Sequence, residues 1–90
     1  MTKEKSTQEN HLEPNQQFLT FDLGLATCLV SLGYELWNLD KTNPKKVQFI
    51  FKRADDIDMV VNDYWQDDLK INARTLFDNQ KMLKNRIYSD

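Results

Sequence analysis

The sequence contains few of the residues that bend a backbone, cross-link a chain or catalyse a reaction. Its 90 residues include two glycines, two prolines, one cysteine and one histidine. A single cysteine, Cys28, cannot form an internal disulfide, and its apolar neighbours favour a buried, unreactive thiol over a nucleophile. The single histidine, His11, has no partners at the spacing of a metal site or a catalytic triad. The sequence therefore predicts no catalytic residues, no metal site and no cofactor.

Long apolar runs are also missing. No stretch reaches membrane-spanning length, and no basic N-terminal region leads into an apolar segment, so we expect a soluble, cytoplasmic protein. A net charge of −2 makes attraction of the whole chain to nucleic acid or acidic membranes weak, although a local basic patch remains compatible with it. Residues 1–16 are polar and contain Pro14, which predicts a disordered tail. Residues 17–90 suit one domain, since two would each have too small a core.

The middle of the chain changes its hydrophobic period and organises the predicted fold. Val47, Phe49 and Phe51 fall on one face of an extended chain, which predicts a half-buried strand at residues 47–52. Apolar residues then recur at helical spacing, with Asp55 as the expected N-cap. The predicted buried stripe of this helix is Ile57, Val60, Val61, Tyr64 and Trp65.

A second, more buried helix is predicted at residues 21–32. Thr20 or Asp22 can cap its first turn, and Gly33 can end it because a residue without Cβ adopts the left-handed conformation at little cost. Gly24 inside this helix costs about 1 kcal/mol relative to alanine. That cost indicates close packing against another backbone or a loose first turn.

The remaining segments complete an α+β fold. A strand at residues 34–39 forms a hairpin with the strand at 47–52 through a turn that contains Asn43 and Pro44. Trp37 is partly exposed unless helices cover both faces of the sheet. Short strands are expected at residues 17–19 and 69–71, and a final helix capped by Asn72 at residues 73–87. The predicted stripe of that helix is Ala73, Leu76, Phe77, Leu83 and Ile87. The predicted architecture is a small, mainly antiparallel sheet packed with three helices, in the order β-α-β-β-α-(β)-α.

Charges are segregated along the chain. Residues 41–53 carry five basic and no acidic side chains, and residues 54–68 carry six acidic and no basic ones. The simplest interpretation is a solvated surface on which the acidic helix faces basic neighbours. The sharper hypothesis is a partner surface on the acidic helix, where an exposed Met59 bordered by acids anchors a basic protein. The protein-binding candidates are Asp55, Asp58, Met59 and Asp63.

Nucleic-acid binding is the alternative hypothesis. Lysines of the hairpin loop and the final helix would neutralise phosphates, while Tyr34, Trp37 or Tyr88 would stack on bases. The neighbouring acidic block would repel a phosphate backbone unless it faced away. The candidates are Lys41, Lys45, Lys46, Lys81, Lys84 and Arg86. Homodimerisation through Trp37 or Trp65 is a third hypothesis.

Five segments carry a resemblance to known sequences. They are FLTFDLGLA at 18–26, GY at 33–34, VQFIF at 47–51, DYW at 63–65 and ARTLF at 73–77. Together they resemble a small family of bacterial and phage domains of unknown function, over residues 18–88. The resemblance implies a phage, prophage or mobile-element setting and brings no active site. We therefore expect a non-enzymatic protein-interaction module, an accessory protein that modulates a host or element protein.

Overall fold

A computed structural model describes residues 13–89 of the chain. After a short 3-10 turn at Pro14–Gln16, these residues form three strands and three helices. The elements are β1 (Gln17–Thr20), α1 (Leu23–Ser31), β2 (Leu36–Asp40), β3 (Gln48–Lys52), α2 (Ile57–Trp65) and α3 (Ala73–Tyr88). The predicted α+β class and element order are confirmed. Most of the predicted tail, including His11, lies outside the described residues, as does Asp90.

The sheet is antiparallel throughout, with β3 between β1 and β2. Phe51 of β3 pairs with Phe18 on one side and Leu36 on the other, so these three side chains share a face. Phe49 and Phe51 are both buried, as the alternation at residues 47–52 predicted. The β2–β3 connection is the predicted hairpin with a long loop, because β2 ends at Asp40 and β3 begins at Gln48.

The hydrophobic core lies between this sheet face and the three helices. Helix α1 packs along α3, and α2 adds a single fully buried side chain, Ile57. Burial of each large core side chain contributes about 1.5–3 kcal/mol. The core residues are Leu25, Ala26, Leu29, Phe49, Phe51, Ile57 and Leu83.

The other sheet face points away from this core. Ile50 pairs with Leu19 and with Asn38, and none of the three belongs to the core cluster. Leu19 is 44% exposed, and Trp37, at an irregularity in the β2 register, is half-buried. Of the two arrangements considered for Trp37, the structure shows the partly exposed one.

Two of the three α-helices begin with a side chain that accepts a hydrogen bond from a first-turn amide. Asp22 Oδ1 accepts a hydrogen bond from the Leu25 amide at 2.9 Å, and Asn72 Oδ1 accepts one from the Thr75 amide at 3.2 Å. Gly33 follows α1 with φ of 96°, as predicted. The prediction of Asp55 as the cap of α2 is wrong, because Asp56 occupies that position and its carboxylate accepts no bond from the first-turn amides.

Two further expectations need correction. Residues 69–71 form no strand and instead belong to the loop between α2 and α3. Gly24 does pack closely, but against a side chain: a Cβ at this position would lie 2.5 Å from the Tyr64 hydroxyl oxygen. The small residue therefore makes room for α2 to lie against the start of α1.

Candidate functional site

The outer face of α2 and the turn before it carry the predicted protein-binding residues. Met59 is 63% exposed, and Asp55 and Asp58 are also exposed, whereas Asp63 is half-buried. Asn62 is three residues from both Met59 and Trp65 and lies between them on the helix surface, so the two large side chains are about 120° apart around α2 and flank Asn62. We call Asp55, Asp58, Met59, Asp63 and Trp65 the α2 outer face.

Trp65 belongs to this face although the sequence predicted its burial. Its side chain is 61% exposed, so the prediction is wrong. The helix ends at Trp65, and the indole ring makes an edge-to-face contact with the Tyr64 ring, with centroids 4.9 Å apart and an interplanar angle of 81°. Tyr64 takes the inward position, where its hydroxyl lies 3.4 Å from Asp22 Oδ1. Two large apolar side chains, Met59 and Trp65, therefore project from a helix of nine residues.

Some of the carboxylates near this face are already engaged. Arg53 Nη1 lies 2.8 Å from Asp58 Oδ2, an exposed pair that contributes about 0–1 kcal/mol. Asp56 accepts a 2.7 Å hydrogen bond from the Tyr34 hydroxyl. Loss of hydration and this bond raise the pKa of Tyr34 to about 12. Within residues 13–89, Asp55 and Asp63 form no ion pair, so their charge is unopposed.

The basic candidates divide into two groups in the structure. Lys41 Nζ donates to the main-chain carbonyls of Arg86, at 2.8 Å, and Ser89, at 2.7 Å. These bonds satisfy carbonyls at the C-terminus of α3, where a cation also matches the negative end of the helix dipole. Lys41 therefore ties the hairpin loop to α3. The Arg86 side chain points to a different side of α3 from Lys81 and Lys84, because helical positions turn by about 100° per residue.

Lys81 and Lys84 lie on the outer face of α3 between two exposed aromatic side chains. Phe77 is 64% exposed and Tyr88 is 81% exposed. The prediction that Phe77 joins the buried stripe is wrong, because α3 buries a narrow side centred on Leu83 and Phe77 is turned about 120° away from it. Ala73, the first residue of α3, is exposed as well.

The hairpin loop extends this aromatic and basic surface. A shallow cavity of about 350 Å³ is lined by Lys45, Lys46 and Phe21 together with Tyr88 at the end of α3. Lys46 Nζ lies 4.8 Å from the centre of the Phe21 ring, a cation–π contact. The structure therefore joins the basic loop and the end of α3, which the sequence alone left separate.

Two features of residues 13–89 bear on chemistry: the arrangement of possible metal ligands and the state of Cys28. No group of three or more His, Cys, Asp or Glu side chains among residues 13–89 is arranged to hold a metal ion. Cys28 is half-buried rather than buried, and burial together with Asp22 raises the pKa of its thiol. A raised pKa keeps the thiol protonated and less nucleophilic near neutral pH. Of the helices in this region, none has both the length and the apolar character needed to cross a membrane.

Comparison with known sequences places the chain in a family. The model of the domain of unknown function DUF5659 matches residues 15–89, so the chain belongs to that family. No curated protein and no solved structure matches the chain.

Proposed function

For this member of the DUF5659 family, we propose a role as a non-enzymatic protein-interaction module that binds a basic partner through the α2 outer face. The observation that carries the proposal is the joint exposure of Met59, at 63%, and Trp65, at 61%, on one short helix. We also propose a cytoplasmic, phage or mobile-element setting in which the partner is a host or element protein. This second part is supported by the resemblance of residues 18–88 to bacterial and phage domains.

Tryptophan and methionine suit the centre of such an interface. Tryptophan is enriched among the interface residues whose replacement by alanine costs about 2 kcal/mol or more of binding free energy. Methionine adapts its unbranched side chain to irregular surfaces. Burying both side chains against a partner would remove apolar area that the isolated domain leaves in water.

The carboxylates around these anchors define the chemistry of the partner. Asp55 and Asp63 have no ion pair among the described residues, and the Asp58 side chain is 72% exposed despite its contact with Arg53. Unopposed negative charge at the rim of an interface accelerates the approach of a positively charged surface and disfavours an acidic one. The partner is therefore expected to present lysine or arginine around an apolar pocket.

The helix that carries the anchors is fixed in place before binding. Ile57 at its start is fully buried, and Tyr64 near its end packs against Gly24 and Asp22. A pre-formed helix loses less conformational entropy on binding than a segment that must fold. This rigidity is a second reason to assign the interface to α2.

A capture experiment with matched variants tests the proposal. Affinity-tagged wild-type protein and the variants Met59→Lys and Trp65→Ala would be incubated with host lysate, and bound proteins would be quantified by mass spectrometry. Leu19→Ala, on the open sheet face, is the control for loss of an exposed apolar side chain. We expect Trp65→Ala to weaken capture of a specific protein by about 30-fold, which corresponds to 2 kcal/mol.

Two outcomes would contradict this assignment. One is an unchanged set of captured proteins for both α2 variants when circular dichroism shows that they are folded. The other is equal loss in Leu19→Ala. Sedimentation of the purified protein tests whether the partner is a second copy of the chain. If the wild type is a dimer and Trp65→Ala is a monomer, the α2 outer face is a dimer interface.

A further inference from the structure

A continuous aromatic and basic surface runs along α3 onto the hairpin loop. We call it the α3 track, and it consists of Phe77, Lys81, Lys84 and Tyr88 of the helix followed by Lys45, Lys46 and Phe21. Three of its members are exposed aromatic side chains: Phe77 at 64%, Tyr88 at 81% and Phe21 at 50%. None of these three aromatic side chains belongs to the core cluster, so packing of the core does not explain why they are aromatic.

Helix geometry aligns the first four members. Phe77, Lys81, Lys84 and Tyr88 are separated by four, three and four residues, a spacing that places them on one side of a helix. Eleven residues of helix span about 16 Å. Tyr88 then meets Lys45 and Lys46 across the cavity at the end of α3. Single aromatic rings are therefore separated by pairs of lysines along the whole track.

The loop end of the track is tied to the helix end. Lys41 donates two hydrogen bonds to carbonyls at the C-terminus of α3, and Lys46 lies over the Phe21 ring. These contacts hold Lys45 and Lys46 beside Tyr88 without using the ammonium group of Lys45. The two halves of the surface can therefore act together on one extended ligand.

Ion pairs within residues 13–89 leave the positive charge of the track un-neutralised. In the part of the chain that the structure describes, Lys45, Lys81 and Lys84 form no ion pair. Asp78 flanks Lys81 on α3, and Asp40 lines a cavity with Phe21 and Lys46 at the far end of the track. Hydrogen bonds from Thr42 lower the pKa of Asp40, which keeps it charged. The negative charge of Asp40 repels an anion, so the anion-binding part of the track ends there.

We propose that the α3 track binds single-stranded nucleic acid, with bases stacking on Phe77 and Tyr88 and phosphates contacting Lys45, Lys46, Lys81 and Lys84. Stacking platforms interleaved with lysines are the combination that sequence-tolerant single-strand binding uses. A duplex would leave the aromatic rings unused, because its bases are already stacked. An acidic protein would be attracted by the lysines but would not need ring faces. The site lies on a different helix from the α2 outer face and does not depend on the proposed protein partner.

Fluorescence anisotropy with labelled 20-nucleotide oligo(dT) and oligo(U), and with a duplex of equal length, tests this site. We expect the single strands to bind the full chain with a Kd of about 1–100 µM at 50 mM salt, and the duplex to bind more weakly. Four lysine–phosphate contacts predict a slope of about −3 for log K against log salt.

Variants separate stacking from charge. Phe77→Ala and Tyr88→Ala should each weaken single-strand binding by at least about fivefold. Lys81→Gln with Lys84→Gln should reduce the salt slope to about −1.4, because two phosphate contacts are lost. Lys52→Gln is the control, since Lys52 is an exposed lysine on β3, outside the track, and should leave both quantities unchanged.

Several results would overturn the proposal. They are no binding of either single strand at 100 µM protein and 50 mM salt, binding that both aromatic variants leave unchanged, or equal weakening by Lys52→Gln. Salt-sensitive self-association that Lys81→Gln with Lys84→Gln abolishes, without oligonucleotide binding, would instead assign the track to the acidic α2 of a second copy. A failed capture experiment at α2 has no bearing on these results.

Discussion

Helix α2 buries Ile57 and helix α3 buries Leu83, and both side chains are fully shielded from solvent. Their outer sides differ completely: α2 presents Met59 and Trp65 among carboxylates, whereas α3 presents aromatic rings among lysines. The inner sides of the two helices therefore serve one shared core, while their outer sides suit ligands of opposite charge. Folding constrains the first property and leaves the second free to serve binding.

The two helices are also anchored differently. Helix α3 has 16 residues and packs along α1, with Lys41 bonded to its C-terminus. Helix α2 has nine residues, too few to be stable alone, so its start, middle and end each need tertiary contacts. Substitutions in and around the two helices test the comparison, and they are given from the largest expected effect to the smallest.

The largest difference in stability is expected between substitutions on the inner side and on the outer side of α3. Leu83→Ala should lower the free energy of unfolding by about 2–5 kcal/mol, because it opens a cavity in the core. Phe77→Ala should change it by less than about 0.5 kcal/mol, because most of that side chain is in water. Urea denaturation of both variants measures the difference. Equal losses would show that Phe77 belongs to the core after all.

A smaller effect is expected where α2 packs on α1. Gly24→Ala should destabilise the domain by about 1–2 kcal/mol, since overpacking against Tyr64 exceeds the gain in helix propensity. Tyr64→Phe removes the hydroxyl oxygen and leaves ring carbon Cζ at 3.7 Å from the added Cβ. Asp22 Oδ1 then remains the nearest neighbour, at 3.2 Å, so in that background Gly24→Ala should cost less stability than it does in the wild type. A double-mutant cycle from urea denaturation checks this, and additive effects would refute the contact.

The loop that follows α2 contains a residue in an unfavourable backbone conformation. Asp67 has φ of 63°, in the left-handed region that glycine adopts most readily. Asp67→Gly should raise the free energy of unfolding by about 0.5 kcal/mol, because the Cβ penalty is removed. Asp68→Gly, at a neighbouring loop position, is the matched control and should not be stabilising. Thermal melts of the two variants measure this difference, and equal melting temperatures would contradict the assigned strain at Asp67.

The start of α2 is expected to respond to pH. The folded-state pKa of Tyr34 is raised from 10.0 to about 12, so the neutral phenol is favoured in the folded protein. Its contribution to stability should be fully present below pH 10 and lost as the pH rises towards 12. Tyr34→Phe should lack this part of the alkaline loss, and stability measured between pH 9 and 12 compares the two proteins. Parallel curves would show that the bond to Asp56 has no such effect.

Much of the fold was predictable because it depends on local chemistry. Alternation at residues 47–52 located the central strand, and the side chains of Asp22 and Asn72 marked two helix starts. The class, the order of elements and the hairpin followed from these signals. The start of α2 was misplaced by one residue because neighbouring aspartates, Asp55 and Asp56, have equal intrinsic capping ability.

The candidate surfaces were only partly predictable. Segregated charge and Met59 indicated the acidic face, and Lys81 and Lys84 indicated the basic helix. Trp65 and Phe77 were missed, because apolar periodicity predicts the side of a helix that packs and cannot show how wide a side its neighbours cover. Their position at the margins of their stripes was the one available signal.

The sequence by itself determined most of the secondary structure, the class of fold and the sign of charge on each segment, because these depend on neighbouring residues and on composition. Tertiary structure decided which margins of the helices stay in water and which distant segments meet. The bonds from Lys41 to the end of α3 bring residues 45 positions apart into one surface, and the chain between them carries no local signal of that contact. Packing geometry, rather than residue type, therefore separates the side chains that hold this domain together from those it leaves free to bind.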